Sequence, residues 1–67
     1  MSTYEWKIYR EPVGALGVVI EWWYDKHARS WVVRTVDEHG EQLGDAEYSG
    51  TKEGRDFNLN LCRKAHA

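Results

Sequence analysis

The residues most suited to chemistry in this chain are a Cys/His pair, a run of carboxylates and a set of aromatic rings interleaved with bases. Cys62 and His66 stand four apart. On a helix that spacing places thiol and imidazole on one face, as half of a zinc site requires. The other half would have to come from His27 and His39, and no paired-Cys motif accompanies them. A packed thiol and a terminal His account for the pair better than a metal does. A Cys62–His66 nucleophile lacks an orienting group and an oxyanion loop.

Glu38, Glu41, Asp45 and Glu47, with Asp37, form the carboxylate run. Their spacing does not fit a calcium loop, which needs alternating acids around a sixth-place Gly and a closing Glu. A solvated acidic edge fits it better, as does an acidic docking surface for a basic protein. There is no phosphate-binding Gly loop, nucleophile elbow or paired-carboxylate cleft. The sequence points away from an enzyme and calls for no metal or cofactor.

Four Trp, four Tyr and one Phe in 67 residues are a heavy aromatic load. A small domain gains most from such side chains as core, each burying on the order of 150–250 Å². Trp22 and Trp23 are adjacent, however, and on a strand they must point to opposite faces. Trp23, sharing its face with Val19 and Glu21, is the expected contact residue. Lys7, Tyr9 and Arg34 are expected beside it, with Lys26 and Arg29 as further bases nearby. Rings among bases suit single-stranded nucleic acid. A solvated face with cross-strand pairs, such as Glu21 beside Arg34 or Lys7, also explains them.

These residues need elements to hold them. In residues 4–10, Tyr4, Trp6 and Ile8 alternate with Glu5 and Lys7, which predicts a strand. Pro12 removes a ladder donor and should stop it near Glu11. The second strand spans residues 17–24, with Val18, Ile20, Trp22 and Tyr24 on one face and Val19, Glu21 and Trp23 on the other. Residues 25–30 read as a hairpin connection, and residues 31–36 as the third strand. Asp37-Glu38-His39-Gly40 is a turn. A weaker fourth strand covers residues 41–49, interrupted by Gly44 and Asp45 as a bulge or an edge.

Residues 52–65 have two readings. Phe57, Leu59 and Leu61 alternate as a strand would. A helix capped by Thr51 would carry Phe57, Leu61, Cys62 and Ala65 on its buried stripe, with Leu59 at the margin. The helix is preferred, because a four-stranded sheet needs a second layer. The expected fold is α+β: an antiparallel four-stranded meander sheet packed against one C-terminal helix, a single domain over residues 1–67.

The succession Trp31, Arg34, Asp37, Gly40, Leu43-Gly44, Tyr48, Thr51-Lys52 and then a helix resembles two kinds of three-strand-plus-helix module. These are the DNA-reading domains of plant APETALA-type factors and the arm-binding domains of phage integrases. The resemblance covers roughly residues 31–65 and implies DNA contact through the sheet. The chain departs from it where those modules have an Ala-rich helix, placing Gly54 and Asn58 there.

Charge weighs against a nucleic-acid ligand. The net charge is −2, and residues 37–53 hold six acids against Lys52 alone. No apolar run approaches the roughly 20 residues of a membrane span, and the N-terminus lacks the pattern of a signal peptide. A single Cys fits a reducing compartment, so a cytoplasmic location is expected. The expected function is a small accessory or inhibitor-like module that binds a partner protein. Its surface would combine exposed sheet aromatics with the acidic segment: Trp23, Tyr9, Lys7 and Arg34 with Glu38, Glu41, Asp45 and Glu47. A homodimer is an expected companion, since so small a sheet often completes its core with a second copy. The alternative is a nucleic-acid-binding domain using the basic and aromatic sheet face.

Overall fold

The computed structural model describes residues 7–14 and 16–66. It shows the α+β arrangement in chain order: β1 Tyr9–Pro12, β2 Val19–Asp25, β3 Ser30–Val36, β4 Gln42–Ser49 and α1 Lys52–Ala65. The strands form one antiparallel meander in the order β1-β2-β3-β4. The expected pairing of Tyr4 and Trp6 on a first strand lies outside the described residues. Ile8 precedes β1 and is exposed. Within the described residues the first strand begins at Tyr9 and runs through Pro12. Pro12 is tolerated because it is the last residue of an edge strand.

Two turns set the register. Asp25 Oδ1 accepts hydrogen bonds from the Ala28 and His27 amides, at 3.2 and 2.9 Å, closing the β2–β3 hairpin. Asp37 Oδ1 accepts from the His39 and Glu41 amides, at 2.8 and 2.9 Å, and orders the β3–β4 turn. The bond from Glu41 N–H is the main reason the Asp37 carboxyl lies below its ordinary range. β3 and β4 slip register between Val33 and Thr35, opposite the expected interruption at Gly44 and Asp45. Gly44 supplies the positive φ of 73° there.

The core lies between the sheet and α1. Val13, Ile20, Val33 and Leu59 are buried together, with Val18, Trp22 and Cys62 packed against them. The face assignment of β2 thus holds: Val18, Ile20 and Trp22 face the helix. The expected helix stripe holds only at Cys62, and Phe57, Leu61 and Ala65 are exposed. Leu59 is 4% exposed, whereas Phe57 is 63% and Leu61 47% exposed. Three contacts fix this rotation. The Arg55 guanidinium sits 4.4 Å from the Trp31 ring centroid. Arg63 grips Glu11 through two hydrogen bonds, at 2.7 and 2.8 Å. Gly54 packs so closely on Ser49 that a Cβ there would overlap the serine hydroxyl. Positions 55, 59, 62 and 63 share one helical face, and Phe57 and Leu61 fall on the opposite one. Thr51 is the N-cap as expected, accepting from the Gly54 amide at 3.0 Å. No helix among the described residues is long and apolar enough to cross a membrane.

Candidate functional site

The sheet face turned away from α1 is laid out in cross-strand rows. Trp23, Val32 and Tyr48 form one row. Arg10, Glu21 and Arg34 form the next. Pro12, Val19, Val36 and Gln42 form the third. Among the described residues no second element packs on this face, since the single helix lies on the other.

The middle row is an ion cluster. Glu21 Oε2 accepts from Arg10 Nε at 2.7 Å, and its Oε1 accepts from Arg34 Nε at 2.9 Å. The Glu21 side chain is only 8% exposed. Burial pushes its carboxyl upward, but the hydrogen bonds and charges of Arg10 and Arg34 outweigh that and hold it below its ordinary range. The Arg34 guanidinium also lies 5.3 Å from the Trp23 ring centroid. The row carries one negative and two positive charges, and both arginines are already engaged.

The outer row is apolar. Val32 is buried between Trp23 and Tyr48 in the register, Trp23 is half-buried, and Tyr48 is 63% exposed. Tyr48 belongs to the edge strand β4, so the row ends at open solvent.

Trp23 and Arg34 share a face, as the alternation predicted. Tyr9 and Lys7 do not join them. Antiparallel pairing sets Tyr9 opposite Trp22, and the pleat sends both rings to the helix side. The two rings stack at 5.5 Å with 12° between their planes. The Lys7 ammonium stands 5.0 Å from the Tyr9 centroid. Arg10 takes the position beside Glu21 that Lys7 was expected to fill. The four residues expected to share one face, Lys7, Tyr9, Trp23 and Arg34, are thus not brought together.

The acidic residues are also spread out. Glu38 lies in the turn after β3, beside Gly17 and 3.5 Å from His39 Nε2. Glu41 precedes β4, Asp45 is in the bulged stretch, and Glu47 pairs with Val33 and so points to the helix side. All four are exposed. Among the described residues no group of three or more His, Cys, Asp or Glu is placed to hold a metal ion. Cys62 and His66 are joined through backbone, His66 N–H donating to the Cys62 carbonyl at 3.3 Å.

Sequence reasoning passed over Tyr48, Arg10 and the outward pair Phe57 and Leu61. Tyr48 carried a signal: it alternates with Glu47 on a strand already read as an edge. Phe57 and Leu61 carried a misleading one, because apolar residues four apart usually mark the buried stripe. No protein-family model matches the chain, and no curated protein or solved structure matches it.

Proposed function

We propose that this protein is a non-enzymatic interaction module that binds a partner protein through the Trp23–Val32–Tyr48 row and the neighbouring acidic edge strand. The observation that carries this reading is an apolar row with two aromatic rings on a sheet face with no second layer among the described residues. Trp and Tyr are the side chains most often found as interface anchors, and a charged rim such as Arg10, Glu21 and Arg34 fits the polar border of an interface. Tyr9 lies on the opposite face from Trp23, and both arginines on the Trp23 face are engaged by Glu21, which weighs against single-stranded nucleic acid as the ligand. The pair Phe57 and Leu61 is the rival surface. The two are adjacent on the outer helix face but bordered there by Glu53, Asn60 and Lys64, and a small apolar pair of that kind is ordinary on a protein surface.

The test is capture of binding proteins by the full chain as bait, with and without nuclease, beside a Trp23→Ala bait. A protein retained after nuclease treatment and lost with Trp23→Ala supports the reading. Capture that disappears with nuclease overturns it.

A further inference from the structure

The two edges of the sheet are unequal. β1 has four residues and ends at Pro12, which has no N–H to offer. β4 has eight residues, and no strand among the described residues pairs with its outer side. An edge strand presents backbone donors and acceptors that another extended segment can satisfy. The Gln42 side chain donates to the Gly44 carbonyl at 3.0 Å, which occupies one acceptor within the bulge. The run from residue 45 to 49, which contains Tyr48, lies beyond it.

The side chains say which segment fits. Between residues 35 and 51 the chain has five acids and no Lys or Arg. Glu41, Asp45 and Glu47 are exposed and make no ion pair among the described residues. Arg34, on the neighbouring strand, is committed to Glu21. Two copies of β4 side by side would bring the Asp45 and Glu47 carboxylates of each near those of the other, which disfavours self-pairing. A strand bearing Lys or Arg would bring the complementary charge and draw it to the same backbone.

We infer that the partner contacts this protein with an extended, Lys- or Arg-bearing segment that adds to β4 as a fifth strand, alongside residues 45–49, with an apolar side chain against Tyr48. This rests on the protein-binding reading above and names the chemistry of the partner.

The test uses the isotope-labelled full chain and two eight-residue peptides, one alternating Lys and Val, the other alternating Glu and Val. Amide shifts and hydrogen exchange are followed, first as protein concentration rises and then through each titration. The expected result is binding of the Lys–Val peptide at least about tenfold tighter than the Glu–Val peptide. Exchange should slow at amides within residues 45–49, and affinity should fall as salt rises. A chain carrying Asp45→Lys and Glu47→Lys should reverse the preference. Equal binding of both peptides, binding of neither, or shifts centred on Phe57 and Leu61 would overturn the inference. So would changes in β4 amides with protein concentration alone, which would place a second copy on this edge. A captured partner that depends on Trp23 yet leaves the exchange of residues 45–49 unchanged removes strand addition and keeps the protein-binding reading. Nuclease-sensitive capture removes that reading itself.

Discussion

Truncating Leu59 should separate the helix's real buried stripe from its apparent one. Leu59 is 4% exposed and meets Val13, Ile20 and Val33 in the only buried cluster formed between sheet and helix among the described residues. A buried Leu→Ala change costs about 2–5 kcal/mol, the loss growing with the cavity left behind. Ile20 and Val33 belong to central strands held on both sides, so they cannot close that cavity, and about 3 kcal/mol is expected. A domain of 67 residues has only about 3–10 kcal/mol to lose. At about 4–8 °C per kcal/mol, Leu59→Ala should lower the melting midpoint by about 12–24 °C or leave the chain unfolded. Phe57→Ala and Leu61→Ala remove larger or equal side chains from positions 63% and 47% exposed. Each should cost about 0.5 kcal/mol or less. Thermal melts followed by far-ultraviolet circular dichroism decide the matter. If Leu61→Ala or Phe57→Ala unfolds the domain while Leu59→Ala melts like the parent, the helix is rotated from the position described.

Two further changes probe the contacts around that core. Gly54→Ala normally favours a helix interior by about 1 kcal/mol, but here its Cβ would overlap Ser49, whose hydroxyl receives the Thr51 amide at 3.2 Å. A net loss of about 1–3 kcal/mol is expected, and a second change, Ser49→Gly, should recover most of it in urea melts. Glu21→Gln should cost about 1–2 kcal/mol at neutral pH, a modest figure because Arg10 is largely solvated. The folded-state value of Glu21 lies below the unfolded one, so its contribution is complete above about pH 4.3 and is lost as pH falls further. Parent and Glu21→Gln stabilities measured against pH should therefore converge in acid. Curves that stay parallel would show that the carboxylate is not what holds the two arginines.

Element order was legible because each signal was local. The β-branched and aromatic run at residues 18–24, the Asp-initiated turns and the Thr51 cap each depend on residues within one turn or one strand. The two faces of β2 followed from period-two alternation alone. What depended on partners distant in the chain was not legible. The register of β1 is one such case: shifting by one residue decides whether Tyr9 joins Trp22 or Trp23, and nothing within residues 7–12 specifies it. The helix rotation is another. It is set by the contacts of Arg55 with Trp31 and of Arg63 with Glu11, and by the close approach of Gly54 to Ser49, against the apolar preference of Phe57 and Leu61. Gly54, which sets this helix apart from the Ala-rich helix of the modules it resembles, marks the place where Ser49 at the end of β4 packs against it.

The contact face is tested most directly by equilibrium binding of the captured partner to the parent, Tyr48→Ala and Phe57→Ala chains. All three are expected to remain folded, because both substitutions fall at positions 63% exposed. Tyr48→Ala should weaken binding by at least about tenfold, which is about 1.4 kcal/mol, while Phe57→Ala leaves it unchanged. Unchanged binding by Tyr48→Ala together with loss in Phe57→Ala would place the partner on the outer face of the helix and contradict the assignment of the sheet.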